Sequence, residues 1–177
     1  MNENWTIVEV LRHARHDWMN NLQLIKGNLA LGKIDQVERV IDDIILEAQQ
    51  ESRLCNLKLP QFAKMLLLFN WEAHTFYLEY EILDDFHPEN VDDIALYQWT
   101  AAFFQQLENN VLPKFDNHLF LSIAHHEKGV CFFFEFEGKL KEKASLKAWL
   151  DRTGEKFAKN ILIKSWKDTE FAIDVII

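Results

Sequence analysis

The hydrophobic pattern of the first third of the chain predicts two helices. Over residues 5–31 apolar side chains recur at gaps of three or four, which places them on one face of a helix. They are Leu11, Ala14, Trp18, Leu22, Ile25 and Leu29. After a natural stop at Gly32, a second stripe covers residues 34–54. It comprises Ile34, Val37, Ile41, Ile44 and Ala48, and Val40 and Ile45 widen it.

The short turn at Gly32 predicts that these helices form an antiparallel hairpin. Two helices with one apolar stripe each cannot enclose a core by themselves. A second copy of the hairpin would complete a four-helix bundle across a two-fold axis, so we predict a homodimer. The alternative is that the stripes pack on the C-terminal half of the same chain.

The pattern changes beyond a linker at residues 56–61, which contains Pro60. We predict helices at 62–74, 91–111 and 145–150, and strands at 76–82, 119–124, 130–136, 161–165 and 170–177. The last four strands are expected to form two hairpins. The predicted domains are therefore a helical hairpin over residues 1–58 and an α/β sandwich over 59–177, mostly antiparallel with helices on one face.

Composition limits the classes of protein to which the chain can belong. Its 177 residues are 49% hydrophobic and 13% aromatic, which is enough for a core. The net charge of −9 argues against a nucleic-acid partner. No stretch approaches the roughly 20 apolar residues of a membrane span. The first residues include charges and Trp5 where a signal peptide would have an apolar run, so we expect none. The two cysteines, Cys55 and Cys131, fit no paired motif. We therefore expect a cytoplasmic protein.

One histidine in the first helix lies away from the apolar stripe. At about 100° per residue, His16 falls nearly opposite the stripe, with Asn20 one turn further along the same face. Arg12 and Gln23 share that face, and His13 borders it. A mostly neutral imidazole can attack phosphorus, accept a proton or ligate a metal, whereas the plain alternative is a solvated histidine without a task. His13 and His16 lack the further ligands of a convincing metal site, so we predict none.

The residues around His16 resemble a known family. The run Arg15 to Leu31, RHDWMNNLQLIKGNLAL, is similar to the start of the sporulation initiation phosphotransferase B family. The similarity continues through residues 51–54, 56–58, 69–71 and 78–81. The inner pattern His-Asp-x-x-Asn alone is shared with the histidine box of a class of bacterial sensor kinases, so the longer run carries the specificity.

This resemblance implies a phosphorelay carrier. His16 would accept a phosphoryl group from the aspartyl phosphate of one response regulator and pass it to the aspartate of a second. Its supporting residues are expected to be Arg15, Asp17 and Asn20, and the regulators are expected to dock on Arg12, His13, Gln23 and Lys26. The chain itself is expected to bind no cofactor, because the regulator would supply the Mg²⁺. A homodimer is implied here as well.

The second half resembles the ATP-binding domain of histidine kinases in its order of elements. Leu107-Glu108-Asn109-Asn110 is similar to the motif in which an asparagine holds magnesium and nucleotide phosphates. However, the only glycines of this half are Gly129, Gly138 and Gly154, and no Asp-x-Gly-x-Gly occurs. ATP use is therefore not expected. An ATP-dependent sensor-type kinase with residual nucleotide binding at Asn109, and a non-enzymatic module that binds a regulator, stay open as alternatives.

Overall fold

The computed structural model of the protein describes residues 5–158 and 160–177, apart from the side chains of residues 154–156 and 160. The chain divides into two compact units, which meet in sequence between Ser52 and Arg53. Each unit is described by itself below.

The first unit contains the two predicted helices. Helix α1 is Ile7–Ala30 and helix α2 is Ile34–Asn56, so the predicted hairpin is confirmed. Thr6 caps α1: its side chain accepts a hydrogen bond from the Glu9 amide, and its own amide donates to the Glu9 carboxylate at 2.8 Å. Gly32 adopts φ +67° in the turn, a backbone conformation that favours glycine. Helix α1 thus begins at a capping box formed by Thr6 and Glu9. Its last residue, Ala30, precedes the C-cap residue Leu31.

Most side chains of the two apolar stripes of the hairpin are exposed to solvent. Val37 is the one buried residue among those described in the first unit. On α1, Leu11 is 60% exposed and Leu22 is 52% exposed, although both belong to the predicted stripe. Large apolar side chains at helical spacing are normally buried against another element. The hairpin thus presents an apolar face that one copy of it does not cover.

The last turn of α2 belongs to the second unit because contacts within that unit hold it. Arg53 donates a hydrogen bond to the Ile82 carbonyl at 3.0 Å and forms an ion pair with Asp85 at 3.3 Å. The His87 ring contacts the Asn56 carbonyl oxygen at 3.0 Å.

The second unit contains every element that the sequence predicted for it. Its helices are α3 (Pro60–Phe69), α4 (Asp93–Asn110) and α5 (Lys143–Phe157). Its strands are β1 (Tyr77–Ile82), β2 (His118–His126), β3 (Gly129–Glu137), β4 (Asn160–Trp166) and β5 (Glu170–Ile176). Two helices differ from their predicted lengths. Helix α5 extends well beyond the predicted 145–150. Helix α3 ends before residue 74 because the Asn70 side chain turns to β1. There it accepts a hydrogen bond from the Leu78 amide and donates one to the Leu78 carbonyl.

The strands form one mixed sheet in the order β1-β2-β3-β5-β4. The sheet is mostly antiparallel, as predicted, and both predicted hairpins are present. Strands β3 and β5 are also antiparallel, whereas β1 and β2 are parallel. Alternate residues of β3 are buried, namely Val130, Phe132, Phe134 and Phe136, so one face of the sheet carries the core. Helices α3 and α4 contribute Phe62, Phe69, Phe103 and Phe104 to the same cluster.

A buried asparagine holds together the loops at one end of the sheet. The Asn117 side-chain amide donates to the carbonyls of Thr75, Leu112 and Phe115 at 3.0–3.1 Å, and its oxygen accepts from the Lys139 amide at 2.9 Å. All of its hydrogen-bonding capacity except one oxygen lone pair is therefore used inside the protein. Among the described residues, no helix is long and apolar enough to cross a membrane.

Candidate functional site

The imidazole of His16 projects into solvent from α1. Its side chain is 72% exposed. Because α1 begins at a capped Ile7 and is regular through Ala30, the ring stands on a rigid helix and not on a loop. The apolar stripe occupies the opposite side of the same helix. A reacting group on another protein can therefore reach the ring without displacing part of this chain.

Two side chains contact the same nitrogen of the ring. Asp17 Oδ1 lies 3.3 Å from His16 Nδ1, and Asn20 Nδ2 lies 3.2 Å from it. Among the described residues, none contacts Nε2 in this way. The structure thus brings together three of the predicted site residues and leaves the outer nitrogen of the imidazole accessible.

The two contacts have different consequences for the proton on the ring. A carboxylate only accepts hydrogen bonds, so Asp17 favours a proton on Nδ1. The NH₂ of Asn20 only donates. A rotation of the Asn20 side-chain amide by about 180° would instead place its oxygen where it accepts from His16 Nδ1–H. Both neighbours then stabilise the Nδ1–H form. In that tautomer Nε2 carries the lone pair and points towards solvent, which makes it the nucleophilic atom.

The charges around His16 differ between the two helices. On α1, Arg12, Arg15 and Lys26 are exposed. On α2, partial burial raises the pKa of Glu47, and the charges of Glu51, Asp43 and Asp17 raise it further. Helix α1 carries three cations and two carboxylates, whereas α2 carries six carboxylates and two arginines, so an anionic phosphoryl group is repelled less on the α1 side of the hairpin.

The remaining predicted contact residues lie on the same helix but do not touch the His16 ring. Gln23 is exposed, like the three cations. His13 is partly buried, because its ring packs edge-on against Trp5 with centroids 4.9 Å apart. His13 is therefore held by a neighbour in a way that the helical spacing did not reveal.

The second unit uses one asparagine of the kinase-like motif for packing. Asn110 is buried, its amide donates to the Gln106 carbonyl at 2.8 Å, and its oxygen accepts from the Ser145 hydroxyl at 2.7 Å. These bonds join α4 to the start of α5. Asn109 is exposed beside it, and its backbone carbonyl accepts from Lys141.

A shallow cleft of about 360 Å³ opens in this unit, at the loops that precede β1 and β2. Its ionisable lining residues are Glu72, Asp116 and His74. His74 stacks on Phe69 with ring centroids 3.8 Å apart and contacts the Glu108 carboxylate at 2.5 Å, an arrangement that the sequence analysis missed. The lining contains two carboxylates and no lysine or arginine, although Lys139 lies over the ring of Phe115 at its edge. The described residues contain no cluster of three or more His, Cys, Asp or Glu arranged to hold a metal ion.

Comparison with known proteins identifies the family. The family model "Sensor kinase SpoOB-type, alpha-helical domain" matches residues 1–57. The model "Sporulation initiation phospho-transferase B, C-terminal" matches residues 58–177. The chain belongs to the sporulation initiation phosphotransferase B family. A curated relative, sporulation initiation phosphotransferase B of Bacillus subtilis (strain 168), is 36% identical over 141 residues, which cover 78% of this chain and 73% of the relative. The predicted family and phosphotransferase class are confirmed, as is a role in a sporulation phosphorelay.

Two solved structures of histidine kinases are similar to the chain. The Acinetobacter baumannii histidine kinase AdeS matches with a TM-score of 0.45 and 14% identity, over 91% of this chain and 97% of that one. The catalytic domain of the histidine kinase ThkA matches with a TM-score of 0.42 and 9% identity, over 71% of this chain and 91% of that one. Both scores lie below 0.5, so we draw nothing further from these two likenesses.

Proposed function

We propose that this member of the family carries a phosphoryl group on His16 between two response regulators. The observation that supports this most directly is the exposed imidazole whose Nδ1 contacts Asp17 and Asn20, while Nε2 faces solvent. Family membership supplies the phosphotransferase class, and this geometry supports Nε2 of His16 as the atom that would react.

The reaction is a displacement at phosphorus. Nε2 of His16 attacks the aspartyl phosphate of the first regulator in line, an N–P bond forms, and the P–O bond to the acyl oxygen breaks. The regulator's aspartate leaves as a carboxylate. The ring now carries a positive charge and keeps its proton on Nδ1, where the Asp17 carboxylate stabilises it. Attack by the aspartate of the second regulator on the phosphohistidine reverses these steps.

Catalysis of this kind depends on positioning and on charge neutralisation. The rigid helix positions the ring, and the regulator's own Mg²⁺ and acidic pocket would complete the site. Arg15 would neutralise charge on the phosphoryl group or contact the regulator, and Asn20 would bond the phosphoryl oxygens after transfer. Arg12, His13, Gln23 and Lys26 would form the remaining contact with the regulator.

The active form would be a homodimer. The exposed stripe of α1 and the stripe of α2 are faces that a second hairpin would bury, which yields a four-helix bundle with two His16 side chains on its outside. The stripe and His16 lie on opposite sides of α1, so dimer formation would leave both imidazoles accessible.

Transfer from phosphorylated receiver domains tests the function. Each receiver domain encoded in the source genome is phosphorylated with labelled acetyl phosphate and mixed with the protein. We expect one of them to give a label on His16 that is labile in acid and stable in base. His16→Gln should lose the label while receiver binding stays near wild type, and His125→Gln, an exposed histidine of the second unit that serves as the matched control, should keep both.

Three other outcomes would contradict the proposal. A label on His13 and not on His16 would reject the assigned nucleophile. Labelling of His16 by ATP alone would favour the alternative of a sensor-type kinase, for which Asn109 is the supporting residue. Receiver binding without any label would favour the non-enzymatic binding module.

A further inference from the structure

The cleft at the loops that precede β1 and β2 contains buried polar atoms without partners. Within the described part of the chain, His74 Nε2 and Thr75 Oγ1 are both buried and make no hydrogen bond, and both residues line the cleft. The His74 side chain is only 9% exposed. Leaving a buried polar atom unpaired costs folding free energy, so such atoms in a native protein normally have a partner. These two atoms need one from outside the chain.

The other contacts of the His74 ring determine where Nε2 points. Its Nδ1 lies 2.5 Å from the Glu108 carboxylate on α4, outside the cleft. A carboxylate only accepts hydrogen bonds, so the proton of the neutral ring is on Nδ1 and Nε2 is an acceptor. Nε2 lies 3.9 Å from Oε2 of Glu72, a lining residue whose side chain is 20% exposed. The lone pair therefore points to the side of the ring where Glu72 and the cleft lie.

The polar groups of the lining mostly accept hydrogen bonds. Glu72 and Asp116 are carboxylates, and Asp116 also contacts the His118 ring at 2.9 Å. The amide groups of Asn70 and Asn117 already donate to backbone carbonyls of this chain. A ligand that satisfies the cleft must consequently bring hydrogen-bond donors.

The rim of the cleft favours a positive charge. Tyr77 is 52% exposed and Phe115 is 50% exposed, so two aromatic rings are open to a ligand. Lys139 Nζ lies 4.7 Å from the centroid of the Phe115 ring, which shows that a cation is already attracted to this side. The two carboxylates of the lining and this one lysine leave a net charge of −1. Carboxylates and aromatic faces both attract cations.

A guanidinium group combines the properties that this lining requires. It is planar and positively charged, it has five N–H donors and no acceptor, and it stacks on aromatic rings. An ammonium group has three donors and cannot stack in this way. The volume of about 360 Å³ is at the lower end of the range for small-molecule sites.

We infer that this cleft binds a small guanidinium compound, which pairs with Glu72 and donates hydrogen bonds to His74 Nε2 and Thr75 Oγ1. The flexible Glu72 side chain turns outward to meet the ligand and so opens the way to the buried Nε2. The site lies wholly in the second unit and does not depend on His16 or on the proposed phosphoryl transfer.

Titration of the full chain with butylguanidine, followed by amide NMR shifts, tests the site. We expect saturable binding of one molecule per chain with a dissociation constant of about 1 mM or lower, and shifts at residues 72–77 and 115–117. Pentylamine, a cation of similar length, should bind roughly tenfold more weakly. A blocked Gly-Arg-Gly peptide distinguishes a free compound from an arginine side chain of another protein, and it should bind more weakly than butylguanidine.

Three variants locate the contacts. Glu72→Gln keeps the size of the side chain but removes its charge, and it should weaken binding roughly tenfold or more. Thr75→Val removes the unpaired hydroxyl and should also weaken binding, without lowering the melting temperature. Glu127→Gln is the matched control, because Glu127 is an exposed carboxylate beyond the far end of β2, and it should bind like wild type.

Several results would overturn the inference while leaving the proposed function untouched. If butylguanidine does not bind saturably, water alone satisfies the two buried atoms. Equal affinity for pentylamine would reject the guanidinium class, and tighter binding of the peptide would reject a free compound as the ligand. Equal weakening by Glu72→Gln and Glu127→Gln would show only a general attraction of cations to an acidic protein.

Discussion

Replacing Leu22 on α1 by glutamine should weaken the proposed homodimer strongly. Leu22 belongs to the apolar stripe and is 52% exposed in the single chain. Complete burial of a leucine side chain contributes about 1.5–3 kcal/mol. About half of that gain is still available to a second copy, so each chain would contribute roughly 0.8–1.5 kcal/mol at this position.

The effect doubles because a two-fold axis places Leu22 in the interface twice. The free energy of dimer formation should therefore become less favourable by about 1.5–3 kcal/mol for each dimer. This change raises the dissociation constant roughly tenfold to a hundredfold. Sedimentation equilibrium over a range of protein concentrations measures this constant directly. Leu46→Gln is the matched control, since Leu46 is 57% exposed in the same hairpin but lies outside both stripes, and its dimer should match wild type.

Two results would refute this reasoning. If Leu22→Gln and Leu46→Gln dissociate alike, the stripe is not the interface. If wild-type protein sediments as a single chain at every concentration, the exposed stripe has another partner, and the proposed four-helix bundle is wrong.

The other predictions concern stability. Burial and the neighbouring carboxylates raise the pKa of Glu47 above its ordinary value of 4.5. The folded state therefore binds this proton more tightly than the unfolded state, so its contribution favours folding at acidic pH and is lost as pH rises through the raised pKa. Glu47→Gln should raise the melting temperature at pH 7 and flatten its pH dependence, whereas Glu38→Gln on the same helix should not; equal changes in both would contradict the assignment. In the second unit, Asn117→Ala removes four hydrogen bonds and should destabilise folding by about 3 kcal/mol or more in urea unfolding. A loss below about 1 kcal/mol would show that water replaces the side chain.

The helices and strands could be predicted from the sequence wherever apolar residues recur at the spacing of a helix or a strand. The alternation in β3 follows from its buried face, the stripes of α1 and α2 each mark one apolar face, and every predicted element is present. The ends of helices were less predictable because distant residues determine them. Asp93 accepts hydrogen bonds from the amides of Gln61 and Phe62, which are 32 and 31 residues away in sequence, and so caps α3 from another helix. Such a contact has no local pattern.

The candidate site was predictable in its position but not in its contacts. Helical spacing placed His16 opposite the stripe with Asn20 beside it, because both conclusions depend only on the angle per residue. The same angle placed Asp17 about 100° from His16 and made its role the least certain. In the structure its carboxylate nevertheless lies 3.3 Å from Nδ1, since the two side chains of adjacent residues turn towards each other. That contact favours the proton on Nδ1 and leaves the lone pair on Nε2. If Asp17 acts in this way, Asp17→Asn should slow transfer to His16 without weakening regulator binding, because it removes the negative charge that stabilises the ring's positive charge during transfer.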